Sequence, residues 1–108
     1  MANTIKKWEG AMPALEAALQ ESEADYTPGS GRKLIIQGFW VYNANAADKY
    51  GNIKIGTTIL LGNKQIPTTD TIKEFDMNCP LFGGEKIYVK GEVADDLKYR
   101  IWGIEVDA

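Results

Sequence analysis

Apolar and polar positions follow two regimes that meet near residues 29–31. Beyond Lys33 the pattern is β. Residues 34–43 read LIIQGFWVYN, dense in the β-branched and aromatic side chains that suit a pleated surface. Ile53, Ile55, Thr57, Ile59 and Leu61 alternate with Lys54, Gly56, Thr58 and Leu60, a period of two, and Gly62-Asn63-Lys64 then supplies turn residues. Residues 72–77 read as a shorter strand. Gly83-Gly84 marks a turn before the alternation of Ile87, Val89 and Val93 with Tyr88, Lys90 and Glu92, and Asp95-Asp96 marks the next. Residues 98–106 form a last strand in which Tyr99 and Ile101 share one phase, while Trp102, Ile104 and Val106 take the other. That switch points to a bulge or twist near Gly103, or to burial of both faces. Strands at this spacing, separated by turn clusters, predict an antiparallel sandwich rather than βαβ units.

Before residue 29 the period changes. Residues 10–25 are rich in alanine and glutamate, and Pro13 suits a first helical turn. Met12, Leu15 and Leu19 have the three-and-four spacing of one helical face, with Glu16, Gln20 and Glu23 opposite. About three turns of helix with one modest stripe are marginal alone in water. The helix is therefore expected to dock on its own domain or on a neighbouring subunit, with a mobile arm as the remaining alternative. The expected fold is mainly β: an antiparallel, jelly-roll-like β-sandwich with a short N-terminal α-helix or arm. Residues 1–28 form that arm and helix, and residues 29–108 the β-sandwich domain.

The strand at 34–43 is apolar on both faces. Strict alternation puts Leu34, Ile36, Trp40 and Tyr42 on one side and Ile35, Phe39 and Val41 on the other. A small antiparallel sandwich normally leaves one side of each sheet to water. Two covered faces imply that the helix, a loop or another protein lies over the outer surface. Trp and Tyr favour protein interfaces because each offers a large apolar area and one polar handle. The expected interface residues are Leu15, Leu19, Phe39, Trp40, Tyr42 and Trp102.

Composition narrows the chemistry. The chain has 108 residues, enough for one domain, and a formal charge of −3. That balance argues against general nucleic-acid binding, which needs a basic surface. The absence of histidine removes the commonest general base, the commonest metal ligand and every Ser-His or Cys-His pair. One cysteine, Cys79, can make neither an intrachain disulfide nor a zinc site, and it fits assembly in a reducing cytosol. Lys6 and Lys7 precede no apolar stretch, so no signal peptide is expected, and no apolar run approaches the roughly 20 residues that span a bilayer.

No candidate site amounts to an enzyme. Residues 29–33 (GSGRK) resemble a phosphate loop in composition only, because they precede a strand instead of following one. The oxygens of residues 43–48 (NANAAD) lack the acidic density and terminal glutamate of a calcium loop, and turn chemistry accounts for them. Asp95 and Asp96 are neighbours and point to opposite faces of a strand, which is wrong for a catalytic pair. No base stands near Cys79 in the sequence to activate it. Trp8, Trp40, Trp102, Tyr42, Tyr50 and Tyr88 suggest a sugar-stacking platform, but aromatic residues are equally ordinary core material. No cofactor or metal is expected.

Residues 26–107 nevertheless carry an ordered set of motifs. Tyr26-Thr27-Pro28 and a glycine come first, then Gly31-Arg32-Lys33 before an aliphatic strand, and Val41-Tyr42-Asn43-Ala44-Asn45 where that strand turns. Ile66-Pro67 precedes a Thr/Asp stretch, residues 81–89 (LFGGEKIYV) form a hairpin-like segment, and residues 101–107 (IWGIEVD) close the chain. In this order the sequence resembles the small β-sandwich accessory proteins of tailed bacteriophages, which decorate or cement capsids or sit at the head–tail junction. The N-terminal segment has no counterpart in that resemblance. The resemblance implies no catalytic residues, a homo-oligomer that is often a trimer, and contact with a major capsid protein or another virion protein. It also implies assembly in the bacterial cytoplasm and residence in the virion, while the charge count leaves no role expected for nucleic acid or membrane. A glycan- or receptor-binding module of a phage tail or fibre is the alternative, and a bacterial protein-interaction domain a third.

Overall fold

The computed structural model describes residues 3–21 and 23–108. Eleven strands run in chain order: β1 (Thr4–Ala11), β2 (Ala17–Ala18), β3 (Gln20–Glu21), β4 (Ala24–Asp25), β5 (Arg32–Asn43), β6 (Lys49–Ile55), β7 (Thr58–Ile66), β8 (Thr71–Glu74), β9 (Cys79–Leu81), β10 (Ile87–Gly91) and β11 (Leu97–Asp107). The larger sheet has the order β1-β11-β5-β8, with β9 also on β5, and the second has the order β2-β10-β6-β7. Every pairing is antiparallel, and β3 and β4 form a small hairpin apart.

Both sheets feed one core. Leu34, Ile36, Phe39, Val41 and Ile101 from the larger sheet meet Ile53, Ile55, Ile66, Ile87 and Val89 from the smaller. Residues on both sides of Gly29 contribute, because Trp8, Met12, Leu19 and Tyr26 belong to the same cluster.

Among the described residues the expected N-terminal helix is absent. Residues 10–21 and 23–25 contain the end of β1, the short strands β2 to β4 and irregular links. Met12 and Leu19 are buried, but Leu15, which should share their helical face, is 82% exposed. The backbone finds better partners than its own next turn. Met12 N–H donates to the Leu97 carbonyl, and Leu19 N–H donates to the Ile87 carbonyl, both at 2.8 Å. Strand edges thus capture a segment too short to hold a helix on its own, and tertiary pairing overrides its local propensity.

Two further departures lie within the strand pattern. On β5, Ile36 pairs with Gly103 and Gly38 with Trp102, which leaves Gln37 as an added residue at the bulge. The phase of β5 flips there. Leu34, Ile36, Phe39, Val41 and Asn43 are buried, whereas Ile35, Trp40 and Tyr42 are only partly so. The expected slip near Gly103 is present, with its extra residue on the partner strand. The period-two run at 53–61 is a hairpin, not one strand, turning at Gly56 with φ of 55°. The residues 62–64 lie within β7, and Leu60 is the added residue that lets Leu61 face Ile53.

Candidate functional site

Alternate residues of β1, β11 and β5 enter the core, so the residues between them face outward. The ladder pairs align them in rows. Ile5 pairs with Ile104, Ile104 with Ile35 and Ile35 with Pro80, an apolar line across the larger sheet. The next row runs Lys7, Trp102, Gly38, and the third runs Glu9, Arg100, Trp40, Lys73. Tyr42 follows, between Lys98 and Thr71.

Phe75, just past β8, leans on Trp102 with ring centroids 5.7 Å apart and planes at 37°. Recesses of about 440 and 550 Å3 flank this ring pair. The first is lined by Ile5, Lys7, Trp40 and Arg100 and the second by Gln37, Asp76 and Met77, with Phe75 and Trp102 common to both. Ile5 is 81% and Phe75 54% exposed. Cations border the patch: the Lys73 ammonium lies 5.9 Å from the Phe75 ring, and Arg100 Nε, shut from solvent without a hydrogen bond, sits 3.4 Å from Glu9.

Of the expected interface residues, Trp40, Tyr42 and Trp102 share this face. Phe39 and Leu19 do not: both lie in the core, at 2% and 4% exposure, because the Gln37 bulge turns Phe39 inward and Leu19 packs between the sheets. Leu15 stands alone on the link between β1 and β2. Sequence reasoning missed Ile5 and Phe75. The signal for Ile5 was its alternation with buried Trp8 across a charged pair; Phe75, isolated among polar residues, had none.

The remaining candidates are structural. Asn43 is fully buried, and its amide donates to the carbonyls of Ala47 and Ile66, each at 2.9 Å, while its oxygen accepts from Asn45 N–H at 2.8 Å. Asn45 and Asp48 accept backbone N–H bonds from Ala47 and Thr68. The oxygens of residues 43–48 are therefore engaged in turns. Asp96 pairs with Lys49 at 3.8 Å, and Asp95 takes a positive φ of 69° in the turn. Burial, then the charge of Glu85, pushes the Cys79 thiol up, away from the thiolate form. Among the described residues no three Cys, Asp or Glu side chains are grouped to hold a metal ion. No helix among them is long and apolar enough to cross a membrane.

One buried ionic cluster lies at the other end of β5. Arg32 donates from Nε to Glu105 at 3.0 Å, from Nη2 to the Glu105 carbonyl at 2.9 Å and from Nη1 to Asp107 at 2.7 Å. Tyr26 donates its hydroxyl to Glu105 at 2.6 Å, and its ring packs tilted against Trp8 with centroids 4.8 Å apart. Burial alone would raise Glu105, but the bonds from Tyr26 and Arg32, with the charges of Lys6 and Arg32, hold it below its ordinary value. Burial first, then the bond to Glu105, drives the Tyr26 hydroxyl far above its own. This set of bonds clamps β5 to β11.

The sequence matches no protein-family model and no curated protein.

Proposed function

We propose that this protein is a non-enzymatic assembly protein, a β-sandwich of jelly-roll-like kind that cements or decorates a tailed-phage capsid. The outer face of its larger sheet is the docking surface. One observation carries the reading: the Phe75–Trp102 ring pair and the Ile5-Ile104-Ile35-Pro80 row stand on the outside of the sheet, with no helix over them. Apolar area of this kind contributes roughly 25 cal/mol per Å2 when a partner removes it from water, before association costs. The partner is a major capsid protein or another virion protein, as the sequence resemblance implies. Each contact can be weak, because repetition over a shell multiplies the attachment. The Arg32, Asn43 and Asp96 contacts support a structural role, since each polar group they involve serves the fold.

The test is co-sedimentation of the purified protein with capsids of the phage that encodes it. Saturable binding that raises capsid heat resistance, and is lost in Phe75→Ser with the fold intact, is the expected result. Absence of binding, or a gene remote from capsid, portal and scaffold genes, overturns it. A glycan-array signal lost in Phe75→Ser would instead favour the tail or fibre receptor-binding reading.

A further inference from the structure

β1 closes one end of the larger sheet and has a strand neighbour on one side only among the described residues. Its hydrogen-bond phase follows from the residue after it. Met12 N–H bonds the Leu97 carbonyl at 2.8 Å, one step beyond the Ala11–Lys98 pair. Bonded and non-bonded pairs alternate in an antiparallel ladder. Gly10, Trp8, Lys6 and Thr4 therefore spend their backbone groups on β11, while Ile5, Lys7, Glu9 and Ala11 aim theirs out of the sheet. A recess of about 620 Å3 opens along this edge, lined by Lys7, Trp8 and Glu9 on one side and by residues 17–20 on the other. Among the described residues no strand covers the edge there.

From this geometry we infer that the β1 edge is a self-complementary joint, at which a second copy of this chain pairs antiparallel about a two-fold axis through Trp8. Ile5 then faces Ala11 of the second copy, and Lys7 faces Glu9 of the second copy, twice over by symmetry. In this register every outward N–H and C=O of the four residues finds a partner. Sliding by two residues sets Lys7 against Lys7 or Glu9 against Glu9, and opposed like charges destabilise a strand pair. Sliding by one sets outward groups against groups already bonded to β11. Edge strands are usually guarded by lysine; here a glutamate two residues on converts the guard into a selector of one register. Lys7 and Glu9 are about half exposed, and Glu9 also sits beside Arg100, so the acidic half of the joint is held in place.

The joint borders the outer face and shares Ile5, Lys7 and Glu9 with it, but it is made by the backbone groups of the sheet edge and needs no partner docked on that face. It makes a dimer, in place of the trimer that the sequence resemblance implies, and it joins the outer faces of two copies into one continuous surface.

Analytical ultracentrifugation of the full chain tests it. Wild type is expected to show a concentration-dependent monomer–dimer equilibrium. Lys7→Glu and Glu9→Lys should each weaken the dimer roughly ten-fold or more, since each sets two like-charge pairs opposite one another. An equimolar mixture of the two variants should recover wild-type dimerisation, because each Glu then meets a Lys. Circular dichroism checks that both variants remain folded. A chain that stays monomeric at millimolar concentration overturns the inference, as do single reversals without effect or a mixture no better than its components. If Trp102→Ala weakens self-association and Lys7→Glu does not, the copies meet through the outer face and the edge joint is wrong. Failure of capsid binding with the charge-reversal pattern intact leaves the joint standing.

Discussion

The indole of Trp102 occupies the space that a side chain at its cross-strand partner Gly38 would need. A Cβ at Gly38 would stand 2.9 Å from Trp102 Cε2 and 2.8 Å from the Glu74 carbonyl oxygen. The missing side chain lets the ring lie across β5 and reach Phe75. Gly38→Ala should therefore displace the indole and destabilise the fold by about 1–3 kcal/mol, the usual range for overpacking. Urea denaturation measures the loss, and tryptophan fluorescence should shift to the red as the ring is pushed into water.

Arg32 and Glu105 form a buried pair, at 6% and 12% side-chain exposure. Replacing Arg32 with Met strands the Glu105 carboxylate and should destabilise by about 3–5 kcal/mol. Tyr26→Phe removes one bond to the same carboxylate and should lose about 1–3 kcal/mol. In the Arg32→Met, Glu105→Met double variant the penalty should shrink sharply, since no buried lone charge remains and the Asp107 carboxylate is open to water; chemical denaturation of all the variants completes the cycle.

The same cluster sets a pH dependence. Glu105 is held below its ordinary value of 4.5, so the folded state binds fewer protons than the unfolded state in the acid range. Its contribution is present above that ordinary value and is lost as pH falls through the lower, folded one. Tyr26 works in the opposite sense. Its hydroxyl is raised, so its contribution is complete below its ordinary value of 10.0 and fades as pH rises past it. Urea midpoints measured across pH should be level near neutrality and fall at both ends. Glu105→Gln should flatten the acid side, and Tyr26→Phe the alkaline side.

Deleting residues 1–25 removes β1 and takes Trp8, Met12 and Leu19 from the core. Loss of buried side chains of this size costs about 2–5 kcal/mol each. Three such losses together match or exceed the typical stability of about 5–15 kcal/mol for a whole domain. The truncated chain should lack a cooperative thermal transition by circular dichroism.

Much of the β architecture was legible from residue 32 onward. The runs that became β5, β10 and β11 announce themselves by β-branched and aromatic density, and Gly103 marks the slip between β5 and β11. What escaped has local causes. Met12, Leu15 and Leu19 fit a helical stripe, but carbonyls of Leu97 and Ile87, remote in sequence, take up the backbone of Met12 and Leu19. The two-residue turn at Gly56-Thr57 preserves parity, so an alternation test passes through it unaware. Gln37, the one polar residue inside an apolar run, was the hint that β5 changes face, and with it Phe39. Trp40 and Tyr42 lie outside because that bulge takes them off the side that Leu34 and Ile36 occupy, and Phe75 reaches the patch only through tertiary placement beside Trp102.

The β1–β11 ladder joins Thr4 to Glu105 and Ala11 to Lys98, nearly the full span of the chain. Contacts so distant in sequence form late, since the intervening loop must close first. During synthesis the first strand must wait for the last to leave the ribosome, so a half-made chain shows neither finished rim nor finished face. The outer face of the larger sheet is thereby complete only in chains that already carry β11.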